Sequence, residues 1–242
     1  LLMATFGTFA NRLPDPAFNV APDGSTTNAG AGDFGPGFAS VKFTSEQPVS
    51  MTRTNSGRVI TRAIVGHHWK IDISYNPMTR AEFEPIYNFL EERRGRLKPF
   101  FVVLPQYASP QTASSGTISV SGAIASGDTN FLATGTSASG MNLGRGDMIT
   151  INDSSDSNHL KAYKIIRVHD SSNKLSSDSA LDTANERRYY VSPPFEKSVT
   201  SGSTVVYTNP LIRVINTKDV LEYSLGTNNL YQFSLNLEEA QP

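Results

Sequence analysis

The chain has 242 residues, 38% of them hydrophobic, with 21 basic side chains against 22 acidic ones and a formal net charge of -1. That length can bury a sizeable core in one large or two small domains, and the balanced charge gives no general reason to expect nucleic acid or an acidic membrane as partner. The absence of cysteine excludes disulfides, thiolate metal sites and cysteine nucleophiles, and leaves the redox compartment open. No apolar run approaches the ~20 residues of a bilayer span, and residues 1–7 lack the basic and apolar regions of a signal peptide, so the expectation is a soluble chain without visible export.

Residues 1–37 are rich in Gly, Pro, Ala, Asn and Thr, with isolated aromatics at Phe6, Phe9, Phe18 and Phe34. Such a segment cannot build its own core. A disordered tail and an extended arm that anchors on a neighbour through its aromatics are equally good readings. Short β-prone runs follow at 41–43, 49–54 and 58–64, with Asn55-Ser56-Gly57 as a hairpin turn.

The segment 68–104 carries the densest signals. Trp69, Ile71, Ile73 and Tyr75 alternate with His68, Lys70, Asp72 and Ser74, the period of two that buries one face of a strand. Asn76-Pro77 stops it. Thr79 then suits a helix N-cap, Glu82 completes a capping box, and Met78 with Phe83 forms a hydrophobic staple. Phe83, Ile86, Tyr87 and Leu90 make an apolar stripe; Arg93 and Arg94 meet the negative end of the helix dipole, and Gly95 supplies the left-handed stop. Pro85 removes a backbone donor and predicts a kink or a loose first turn. In the apolar strand that follows, Phe101 and Val103 are assigned to the core.

Between 108 and 209 the chain is dominated by Ser, Thr, Gly, Asn and Asp with short apolar pairs, the texture of a small β-barrel or sandwich. Near the other end Tyr231, Phe233 and Leu235 alternate with polar residues in a strand that needs a sheet to join. The economical solution pairs it with the strands before the helix. Residues 38–107 and 210–242 then form one discontinuous domain, and 108–209 an inserted all-β module. The fold class is mainly β with one principal α-helix.

Candidate chemistry is sparse. His67 and His68 are adjacent in a strand and point to opposite faces, which disfavours a shared metal ion. Glu82, Glu84, Glu91, Glu92 and Asp72 offer carboxylates, yet Glu91 and Glu92 diverge by about 100° on a helix. Ser and His occur in no nucleophile-elbow or triad context. Arg145-Gly146-Asp147 spells an integrin-type tripeptide that also reads as a turn entering a strand. The expectation is no catalytic site, no metal and no cofactor. The charged end of the helix, Glu91, Glu92, Arg93, Arg94 and Arg96, reads as a solvated or intersubunit face.

Residues 83–104, FEPIYNFLEERRGRLKPFFVVL, resemble the helix and following strand of distal tail proteins of double-stranded DNA phages. The stretches LGRGDMITIND, AYKIIRVHD, YYVSPPFEKSVTSGSTVVY and LIRVI resemble a recurring phage tail and baseplate β-module. The resemblance implies a tail-tube-like β-sandwich with a helix. It also implies a virion protein, assembled in the host cytoplasm, that closes a homohexameric ring at the distal end of the tail tube. Its partners would be copies of itself, the tail tube protein and hub or baseplate proteins, with DNA passing the lumen unbound and no membrane contact. The near-neutral charge, the long Gly-rich arm and the internal position of the second module depart from that pattern. Two other classes remain: a carbohydrate-binding module, for which Trp69 is the single tryptophan, and a glycan hydrolase, which needs two carboxylates roughly 5 to 10 Å apart across a cleft.

Overall fold

The alternating stretch at Trp69 becomes an inner strand of the larger sheet. The protein is seen in a computed structural model that describes residues 11–15, 18–20, 26–28, 36–63, 66–137, 140–153, 155–156, 159, 161–173, 181 and 185–240. The elements are β1 (Phe18–Val20), β2 (Thr26–Asn28), β3 (Phe38–Glu46), β4 (Val49–Arg53), β5 (Val59–Ala63), β6 (His68–Tyr75), α1 (Arg80–Arg93) and β7 (Phe100–Val102). They continue with β8 (Ile118–Val120), β9 (Asn130–Gly135), β10 (Met148–Asn152), β11 (Ala162–His169), β12 (Glu186–Ser192), β13 (Thr204–Val206), β14 (Ile212–Asn216), β15 (Tyr223–Leu225) and β16 (Tyr231–Glu239). Two compact units result, Leu1–Val102 with Val214–Gln241, and Val103–Arg213. Phe6, Phe9 and Phe34 of the expected arm lie outside the described residues.

In the first unit the strand order is β3-β6-β16-β14-β7, with β15 also on β16. The late strand joins β6 antiparallel, Leu235 opposite Ile73 and Leu237 opposite Ile71. Trp69, Ile71, Ile73, Tyr75, Phe233 and Leu235 are all buried, as the alternation requires. Against them α1 buries Phe83, Ile86, Phe89 and Leu90; Phe83 lies 5.7 Å from Phe233 and Phe89 lies 5.5 Å from Phe100, centroid to centroid. Each such side chain contributes ~1.5–3 kcal/mol through burial.

Several positions differ from the sequence expectation. Tyr87 and Tyr231 are only half-buried, forming the rim of the aromatic cluster around Phe83. In β7 the inward residues are Phe100 and Val102, and Phe101 is half-buried, because strand phase turns it to the other face; Val103, just past the strand, is buried. The helix runs unbroken through Pro85, whose ring is buried. The missing donor there costs a single bond. At the start of α1 the Glu82 carboxylate accepts from the Thr79 N–H at 2.8 Å, closing the capping box. At its end Arg94, not Gly95, is the first left-handed residue (φ 53°), and Gly95 (φ 61°) extends that turn.

One stretch had no sequence signal. Residues 11–15 run beside β7: Arg12 bridges Phe101 in parallel, and the Leu13 N–H donates to the Phe101 carbonyl at 2.7 Å. Leu13 is fully buried and Arg12 pairs with Asp15 at 2.7 Å. A sheet edge that would otherwise offer unpaired backbone groups is thereby covered.

The second unit is a closed barrel in the order β10-β11-β12-β9-β8-β13, so the choice between barrel and sandwich falls to the barrel. Closure removes all edges. Its core gathers Ile118, Phe131, Ile149, Tyr163, Tyr189, Phe195 and Val205. Buried tyrosines keep polar partners: the Tyr189 hydroxyl donates to the Met141 carbonyl at 3.0 Å, and the Tyr163 hydroxyl meets His159 Nε2 at 3.0 Å. The chain enters and leaves this unit side by side, the Asn209 N–H donating to the Ala108 carbonyl at 2.8 Å.

Candidate assembly surfaces

The most conspicuous exposed apolar surface is the hairpin of β4 and β5. It forms a two-stranded sheet of its own. The turn is the one the sequence indicates: Gly57 takes φ 81° and donates to the Thr54 carbonyl at 2.9 Å. Register places Met51 opposite Thr61 and Arg53 opposite Val59, so Val49, Met51 and Val59 share one face while Ile60 lies on the other. Val49 is 57% exposed, Met51 61% and Ile60 52%. An isolated two-stranded ribbon is marginal in water, and the exposed apolar residues on it make it a candidate contact surface.

The helix end divides into different fates. Glu91, Arg94 and Arg96 are exposed, Glu92 is half-buried, and Arg93 is buried with its guanidinium 4.7 Å from the Phe89 ring centroid. Arg93 therefore belongs to the packing of α1, not to a free charged face; burial pushes its pKa down. Partial burial also raises the Glu92 carboxyl. Arg96 lies 3.6 Å from Asp219 and donates to the Thr217 carbonyl, and the neighbouring Leu97 is 67% exposed.

The polar face of the larger sheet is cross-linked strand to strand. His68 Nδ1 faces the Gly66 carbonyl at 2.9 Å, and its Nε2 lies 2.9 Å from Glu46 and 3.3 Å from Glu238. Lys70 pairs with Glu46 and, with His68, holds that carboxyl below its ordinary value. Asn236 donates to Asp72 at 2.7 Å. His67 turns elsewhere, to Ser45 Oγ at 2.9 Å and edge-on to Trp69. The two imidazoles have separate partners, and among the described residues no group of three or more metal-ligating side chains converges. Trp69 is 3% exposed and stacks on Phe43 at 4.6 Å, which removes it as a sugar platform.

In the barrel, Asp147 of the Arg-Gly-Asp triplet is buried and accepts from the Gly144 N–H at 2.7 Å and the Gln111 N–H at 3.0 Å. Its carboxylate holds a turn and is not presented for adhesion. Asp153 is similarly engaged. Burial opposes its charge, but hydrogen bonds from Ser155 (2.9 Å) and Thr200 (3.1 Å) outweigh that and hold it well below the usual carboxylate range. Burial lowers His159, which packs between Tyr163 and Phe195. What sequence reading missed here is the barrel's outward chemistry, since Arg167 and Tyr190 meet only through cross-strand register.

Comparison with known proteins bears on the first unit. No curated protein matches the chain. Residues 22–107, just over a third of the chain, match a family model described as distal tail protein pb9, A domain, N-terminal, and it is in this segment, hairpin, β6 and α1 included, that the chain is similar to a family of phage tail proteins.

Proposed function

We propose that this protein is a structural component of a phage tail that closes into a six-fold ring at the distal end of the tail tube. It contacts the tube protein on one side and hub or baseplate proteins on the other. The observation that carries the reading is the β4–β5 ribbon, whose apolar face has no cover within the described chain. A ring closes through two different, complementary patches on each subunit. The ribbon supplies one, and the exposed helix end around Arg94, Arg96 and Leu97 is a candidate for the other. Mixed charges on the sheet's polar face, Lys42 and Lys70 against Glu46, Asp72 and Glu238, suit a surface past which DNA moves without being held. The match to a distal tail protein domain supports the assignment.

Mass photometry across a concentration series tests it. Wild-type protein should populate a species of six times the monomer mass, and Met51→Glu should shift it to monomer while leaving the melting temperature unchanged. A wild type that stays monomeric throughout, or a Met51→Glu variant that assembles equally well, overturns the proposal.

A further inference from the structure

The barrel wall formed by β9, β12 and β11 turns a distinct chemistry outward. Register sets Lys164 opposite Ser192, Arg167 opposite Tyr190 and His169 opposite Arg188. On the other side of β12, Asn130 and Leu132 stand opposite Tyr190 and Arg188. The irregularity between Ile165 and Arg167 adds a residue to β11. Without it Arg167 would take the inward phase of Ile165; with it Arg167 faces out in line with Lys164.

The cluster is ordered by its own contacts. The Arg167 guanidinium lies 3.8 Å from the Tyr190 ring centroid, His169 packs edge-on to the same ring at 5.1 Å, and Arg188 donates to Asn130 at 3.0 Å. Stacking occupies the guanidinium face and leaves its N–H edge for a ligand. Neither Arg167 nor Lys164 pairs with a carboxylate among the described residues. Among the described residues, three cations and a histidine thus share this wall with one carboxylate, Glu186, in a chain whose net charge is -1.

We infer that this wall binds an anionic polysaccharide, one whose sugars carry phosphate or carboxylate groups. A held guanidinium matches either anion with two parallel hydrogen bonds. Lys164 and His169 lie roughly 15 Å apart along the strand at ~3.3 Å per residue, which lets the wall meet more than one charged group of a polymer. Single-stranded nucleic acid fits less well, because its binders rely on open aromatic faces for base stacking. Here Arg167 already covers one face of Tyr190 and His169 abuts its edge.

Titration of the full chain with phosphomannan, polygalacturonate, neutral dextran and a short single-stranded oligonucleotide tests this. One or both anionic glycans should bind, and which one does assigns phosphate or carboxylate; dextran should not bind. Lys164→Gln with Arg167→Gln should weaken binding about tenfold or more, whereas Arg145→Gln with Lys218→Gln, which removes equal charge elsewhere, should leave it within about twofold. The inference fails if neither glycan binds, if dextran binds as well, if the oligonucleotide binds at least as tightly, or if both double variants lose affinity equally.

Discussion

Replacing Phe83 by alanine should destabilise the sheet-bearing unit and leave the barrel untouched. Phe83 is buried at the centre of an aromatic cluster, with centroids 4.6 Å from Tyr231, 5.0 Å from Tyr223, 5.2 Å from Tyr87 and 5.7 Å from Phe233. Truncating a buried phenylalanine costs ~3–5 kcal/mol, part of it from aromatic pairs at ~0.5–1.5 kcal/mol each. Against a typical domain stability of ~5–15 kcal/mol the fold survives, with its melting temperature lowered on the order of 15 °C. Phe83→Asp adds an uncompensated buried carboxylate and should abolish folding of that unit. Differential scanning calorimetry of the full chain should resolve two transitions, only one of which moves. A Phe83→Asp variant that melts like wild type would show that α1 does not pack through this residue.

Excising residues 110–208 and joining the ends with a short linker should leave a soluble domain with the β signal of the sheet unit, because the flanking Ala108 and Asn209 already share a hydrogen bond; insoluble product without β signal in circular dichroism would refute the insertion topology. Asp153 should make barrel stability pH-dependent. Its carboxyl is depressed in the folded state, so its contribution is complete above the ordinary aspartate value of about 3.9 and declines as pH falls below it. Asp153→Asn should cost ~2 kcal/mol at neutral pH and flatten the acid dependence of the barrel's melting temperature; an unchanged acid profile would contradict this.

Legibility followed the range of the interactions. The capping box at Thr79 and Glu82, the alternation of Trp69 to Tyr75 and the turn at Gly57 are local, and the sequence shows each directly. The late strand was readable as a strand, and its partner followed from the lack of any other open sheet. Errors came where tertiary context chose between local options. Arg94 takes the left-handed stop one residue before Gly95, and Phe100 rather than Phe101 faces inward. Arg93, a surface charge by composition, is drawn into the core beside Phe89. The cover that residues 11–15 give to β7 and the Arg167–Tyr190 pair depend on register alone, which no local pattern encodes.

The pairing of β6 with β16 joins Ile73 to Leu235, two positions separated by the whole barrel. During synthesis at ~5–20 residues per second, β6 and α1 therefore wait roughly ten to thirty seconds for the strand that completes their sheet. The barrel, whose strands all lie between, can finish first. Throughout that interval the edge of β6 that β16 later covers stands open, so the nascent chain is most exposed to aggregation and chaperone capture at a strand that ends up inside the sheet.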